Sequence, residues 1–386
     1  MNRRRAPELR EGRTHALGCL LTTALGVALM IGPGAPARAQ SYDCSAATKL
    51  LEENLAAYSG GVFVQVFQDD REIFNFQRGE IGAETQLRMG SASKWLSSAV
   101  VLRLVEDGLL ALDDRIGDSL PVFDLFGKGD VTLRQSFAMK SGLHETTVNY
   151  ETSPMITLEQ AANLIAANTP IVFPPGTQLD YEGDGMEAVG RVAEVVSGAD
   201  WRALADEELA LPLGLASLTY EPFPVNPGVP GGALLSPADY QRFLRMVLSG
   251  GRAEDGSLYL SPEQVEEWFT NQTLGLPEYD SAWPPYPYPY GERPDYGHGS
   301  WILAHSPTTG LVEEVSSPGK FGTFPWVDRK RRLRGVIATD SFNGFGATVF
   351  VDLAVLDALR AAVDAVLIFT DGFASGNGAA WSLTLP

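Results

Sequence analysis

Arg88-Met89-Gly90-Ser91-Ala92-Ser93-Lys94-Trp95-Leu96, running on through Ser97-Ser98-Ala99-Val100-Val101-Leu102-Arg103-Leu104-Val105, decides what this chain is. Ser91 and Lys94 stand three residues apart at the opening of a helical pattern, so their side chains fall on one face about a turn apart. That places an amine beside a hydroxyl. A serine hydroxyl is a weak nucleophile at neutral pH, and an amine takes its proton only where burial and neighbouring charge favour the uncharged form. The helix that follows provides burial: Trp95, Ala99, Val100, Val101, Leu102, Leu104 and Val105 make it apolar on nearly every side, as a helix at the centre of a domain is. The same spacing recurs at Ser317 and Lys320, but Pro318 and Gly319 stand between them and break a helix, so only the first copy has the right setting.

Five runs in order carry a family resemblance. Arg88 to Pro121, Val131 to Glu145 (VTLRQSFAMKSGLHE), Phe173 to Gly198 (FPPGTQLDYEGDGMEAVGRVAEVVSG), Leu211 to Tyr220 and Gly231 to Gly251 together resemble the class C β-lactamase-related serine hydrolases. That family includes penicillin-binding D,D-peptidases and esterases, and the resemblance covers about Leu50 to about Leu367. It implies an α+β fold of β-lactamase/transpeptidase type, and it implies a tyrosine that relays the proton. Tyr181, in Asp180-Tyr181-Glu182-Gly183, is the matching residue. A phenol beside a cationic amine is drawn towards ionisation.

Two positions depart from the family pattern. Gly183 stands where the family has an asparagine amide, and Ser317, in Ser317-Pro318-Gly319, stands where the third motif has lysine or histidine. In β-lactamases and D,D-peptidases that cationic position helps receive the substrate carboxylate through a charge-assisted hydrogen bond. Its loss argues against tight binding of carboxylate-bearing β-lactams, unless the Lys320 side chain turns inward to replace it. Catalytic backbone amides do not depend on side-chain identity. Gly319 permits close approach, and the amides of Lys320 and Ser91 form a candidate oxyanion hole. The expected activity is therefore a serine hydrolase forming an acyl-enzyme on Ser91, with carboxylic esters as substrates. A β-lactamase or D,D-carboxypeptidase is the alternative, and a non-catalytic binding member of the fold is the second.

Composition is ordinary for a globular protein, with 45% hydrophobic and 20% charged residues in 386. The first forty residues differ. Arg3, Arg4, Arg5, Arg10 and Arg13 precede an apolar run from Ala16 to Ile31, and Ala37-Arg38-Ala39 offers small residues at both recognition positions of a signal peptidase. The apolar run is shorter than the ~20 residues that span a bilayer. Residues 1–39 thus read as a signal peptide cleaved after Ala39, residues 40–386 as the hydrolase domain, and the location as secreted or periplasmic, by an export route left open. Cleavage removes six arginines and two glutamates and takes the net charge from −19 to −23, which repels nucleic acid and anionic membrane surfaces. Cys44 is then the single cysteine. The expected molecule is a monomer acting on a small ester or amide, with no cofactor, no metal and no membrane anchor.

Other chemistries are weaker. No Gly-x-Ser-x-Gly elbow occurs, and His144, His298 and His305 form no metal-ligand spacing. Strand patterns fall at Gly61 to Phe67, Ile73 to Phe76, Gly299 to Ala304, Trp326 to Asp328 and Leu333 to Thr339, enclosing a mostly helical middle. This predicts one antiparallel sheet built from both ends of the chain, an inserted helical subdomain, and a cleft between them. The proline-stiffened aromatic segment Ala282 to Tyr290 reads either as a cover over the sheet edge or as an aromatic lip for an apolar substrate group.

Overall fold

The computed structural model describes residues 41–145, 150, 153, 155–220, 225–283 and 294–374, with side chains to residue 366. The expected signal peptide and most of the Pro/Tyr segment lie outside the described residues. The elements that position the site are helix α1 (Ser45–Glu53), strands β1 (Gly61–Gln68) and β2 (Arg71–Gly79), and helices α2 (Ser93–Glu106), α3 (Leu158–Asn168), α4 (Asp184–Ser197) and α5 (Pro237–Leu248). After them come strands β3 (Asp295–Tyr296), β4 (Trp301–His305), β5 (Val312–Ser316), β6 (Phe324–Asp328) and β7 (Leu333–Ala338), and helix α6 (Gly344–Ala374).

The seven strands form one sheet in the order β2-β1-β7-β6-β5-β4-β3, every neighbour antiparallel. The N-terminal hairpin turns at Asp69-Asp70 and joins the C-terminal strands through β1 and β7, with Phe63 opposite Ala338 and Gln68 opposite Leu333. The expected sheet from both chain ends is therefore present, and everything between β2 and β3 is inserted. Strand β5 carried no sequence expectation, because Glu313 and Glu314 interrupt its apolar pattern. Glu314 is tolerated there because Arg360 of α6 reaches its buried carboxylate at 2.5 Å. Burial still pushes that carboxyl above its usual range, with Arg360 opposing the shift.

Helix α2 is buried along most of its length, from Ser93 to Leu102 and again at Leu104, as its all-round apolar pattern predicts. Trp95 anchors it edge-on to Phe243 of α5 at 5.5 Å and to Trp268 at 6.3 Å. Helices α1 and α6 pack against each other, and Tyr58, a few residues after α1, donates its hydroxyl to Asp352 of α6 at 2.7 Å. Asp352 is fully buried, and burial pushes its carboxyl up to about 7. Among the described residues no helix is long and apolar enough to cross a membrane.

Candidate active site

Ser91 lies in a single 3-10 turn, Gly90–Ala92, that feeds directly into α2. Gly90 has φ +52°, a left-handed conformation that favours glycine, and it lies close under the backbone of Lys320. The turn is fixed from behind: Leu87 and Arg88 pair with Leu235 and Leu234, and the Met89 amide donates to the Ala233 carbonyl at 2.9 Å. Lys94, one turn on and 4% exposed, brings its Nζ to 3.4 Å from Ser91 Oγ and to 3.4 Å from the carbonyl oxygen of Pro230. No other hydrogen bond of that amine occurs among the described residues.

Tyr181 follows the two-residue strand Leu179–Asp180, which runs parallel to Glu278–Asp280, and its amide donates to the Asp280 carbonyl at 3.1 Å. Its ring stacks on Trp301 at 4.9 Å and lies 5.0 Å from Lys94 Nζ. The side chains of Ser91, Lys94 and Tyr181, drawn from two separate segments, thus meet at one place, Lys94 in the middle. Next to the tyrosine, Glu182 turns away into the protein, accepting from Ser141 Oγ at 3.1 Å and the Gly185 amide at 2.8 Å. Burial, reinforced by the nearby Asp184 charge, holds its carboxyl well above the usual range. Gly183 occupies the N-cap position of α4 and is buried, so no amide side chain faces the lysine from this position.

The segment after β5 lies across the serine turn. A Cβ on Gly319 would stand 1.9 Å from the Met89 carbonyl oxygen and 3.3 Å from the Ala92 nitrogen, so only glycine allows this approach. Among the described residues neither the Ser91 amide nor the Lys320 amide donates a hydrogen bond. Ser317 is buried and its hydroxyl donates to the Ser91 carbonyl at 3.0 Å, which ties the strand to the turn. The Lys320 side chain does not turn inward: it is exposed, with Nζ 5.4 Å from the Phe342 ring. The carboxylate-receiving cation of the family pattern is thus absent at Ser317 and is not supplied by Lys320.

His298 sits in the turn between β3 and β4, fully buried and stacked on Phe137 at 4.9 Å. Burial pushes its imidazole down to about 3, so it is neutral. His144 bonds Asp180 at 2.9 Å, and His305 meets Asn271 at 3.1 Å. Trp283, the described aromatic of the Pro/Tyr segment, is buried edge-on against Trp301 at 5.7 Å and Phe345 at 5.4 Å, as a cover over the sheet. Sequence reasoning missed two parts of the site, the Trp301 platform and the Pro230 carbonyl. A tryptophan opening a strand gives only a weak signal, and a backbone oxygen gives none.

The α+β frame on which Ser91, Lys94 and Tyr181 meet is that of the serine hydrolases of β-lactamase type. The Beta-lactamase family model matches residues 48–360, and the chain belongs to that family. The chain is similar to penicillin-binding protein 4 of Amycolatopsis lactamdurans, 27% identical over 67% of this chain and 78% of that one. It is also similar to a lovastatin esterase of Penicillium rubens, 26% identical over 69% of this chain and 82% of that one. A solved structure from Bacteroides dorei, named provisionally as a beta-lactamase, superposes with a TM-score of 0.74 at 26% identity, covering 84% of this chain and 100% of that one.

Proposed function

We propose that this chain is an exported serine hydrolase that cleaves carboxylic esters through an acyl-enzyme on Ser91. The observation that carries the reading is the contrast at the site: Ser91 Oγ, Lys94 Nζ and the Tyr181 ring converge within 3.4 and 5.0 Å, while Ser317 and Lys320 offer no inward cation. Ser91 Oγ bonds to the acyl carbon as its proton passes to the Lys94 amine. The carbonyl oxygen becomes an oxyanion between the free amides of Ser91 and Lys320. Collapse breaks the bond to the alcohol oxygen, which takes a proton through Lys94 and Tyr181. Water then attacks the acyl carbon, loses a proton to the same groups, and releases the carboxylic acid with Ser91 restored.

An ester with a short or apolar acyl group needs no carboxylate receptor, and that favours esters over β-lactams here. The esterase from Penicillium rubens is consistent with such a substrate class. The similarity to a penicillin-binding protein keeps a cell-wall peptide substrate as the second reading. A panel of p-nitrophenyl esters, nitrocefin and labelled penicillin on one preparation, with mapping of a fluorophosphonate adduct, decides between them. Ester turnover with the adduct on Ser91 is the expected result. Rapid nitrocefin turnover or stable penicillin acylation puts the second reading first. An adduct on another serine, with Ser91→Ala fully active, ends both. If wild type and Lys94→Ala are equally inert while folded, the chain is a binding member of the fold.

A further inference from the structure

We propose that Glu187 is a positioning residue for Lys94, acting through the Asn226–Pro230 loop; the inference rests on the hydrolase reading of Ser91 and Lys94. Gly183 leaves the lysine without the amide partner of the family pattern, so apart from Ser91 the described partner of its Nζ is the Pro230 carbonyl at 3.4 Å. A carbonyl oxygen only accepts. When the amine is uncharged it has two N–H groups and one lone pair, so an N–H held on Pro230 leaves the lone pair available to the Ser91 hydroxyl. Where Pro230 stands therefore decides whether the lysine faces the serine as a base.

The loop is held from two helices. On α4, the Glu187 carboxylate accepts the Val229 amide at 2.9 Å and the Asn226 side-chain amide. One turn further, on the same face, Gly190 lets the Val229 side chain in: a Cβ there would be 2.3 Å from it. On α2, Ser97 Oγ donates to the Val229 carbonyl at 2.6 Å. Glu187, Ser97, Asn226 and Val229 are all fully buried. A buried carboxylate six residues after Tyr181 is costly unless its partners are fixed, and here those partners are the two groups that set the residue before Pro230. Helix α4 begins three residues after Tyr181, so the segment that carries the phenol runs directly into the helix that holds the loop of Pro230.

The test measures kcat and KM on a p-nitrophenyl ester for wild type, Glu187→Gln and Ser97→Ala, each normalised to Ser91 titrated with a fluorophosphonate. The expected result is a kcat per titrated serine lower by about tenfold to a hundredfold, with KM within about twofold, the size a displaced catalytic group produces. A merely structural Glu187 would lower the titre and leave kcat per titrated serine unchanged, which overturns the proposal. If Glu187→Gln yields no folded protein, Ser97→Ala decides by the same two outcomes. An inert wild type takes down the hydrolase reading and this proposal together, whereas an active wild type with unaltered variants takes down this proposal alone.

Discussion

Replacing Gly319 with alanine tests whether the backbone amides stabilise the reacting oxygen. The added methyl would lie 1.9 Å from the Met89 carbonyl oxygen, and real Cβ contacts essentially never fall below 3.0 Å. The strand segment and the serine turn must therefore separate by about 1 Å or more. Neither neighbour is a flexible side chain that could swing aside, because both contacts, at Met89 and Ala92, are backbone. A shift of that size carries the Lys320 amide out of hydrogen-bonding range of an oxyanion bound at Ser91. Losing one such donor costs about a hundredfold to a thousandfold in kcat, or roughly 2.7–4 kcal/mol of transition-state stabilisation. Ester kinetics per titrated serine, alongside a circular-dichroism melt, measure this directly. Gly319→Ala that is folded and retains kcat within about twofold refutes the oxyanion role of these amides.

Tyr181→Phe keeps the stacking on Trp301 at 4.9 Å and removes only the hydroxyl, so kcat is expected to fall by about a hundredfold or more with the melting temperature preserved; unchanged kcat would remove the phenol from the proton path. Asp352 is held up at about 7 against 3.8 when unfolded, so between those values the folded state keeps a proton that the unfolded state releases, and stability is lost as pH rises. Urea titrations from pH 4 to 8 should show wild type losing stability relative to Asp352→Asn, by up to about 1.4 kcal/mol per pH unit and levelling above about pH 7; parallel curves would contradict the buried acid. Arg360→Ala strands the Glu314 carboxyl in β5 and is expected to cost about 3–5 kcal/mol in the same assay, and a loss below about 1 kcal/mol would show that water reaches the pair.

Local chemistry determined much of this protein from the sequence by itself. The spacing of Ser91 and Lys94, the apolar surround of the following helix, the turn at Asp69-Asp70 and the order of five motif runs are short-range features, and short-range geometry follows from chain periodicity. The rejection of the second Ser-x-x-Lys also rested on local grounds, since Pro318-Gly319 cannot continue a helix; the structure places it in the extended segment after β5. What only the tertiary structure decided depends on atoms far apart in the chain. Whether Lys320 faces in or out could not be read from its neighbours; it was settled by Phe342, which it meets at 5.4 Å. Strand β5 was hidden by two glutamates, of which the buried one, Glu314, is paired with Arg360 on a helix that starts 28 residues after the strand ends. The Ser317 hydroxyl was free to face substrate in sequence terms, and packing turned it onto the Ser91 carbonyl. The partner of Lys94 besides Ser91 is a backbone oxygen, 136 residues away. Every residue carries such an oxygen, so no side-chain pattern marks which one the fold delivers to the amine.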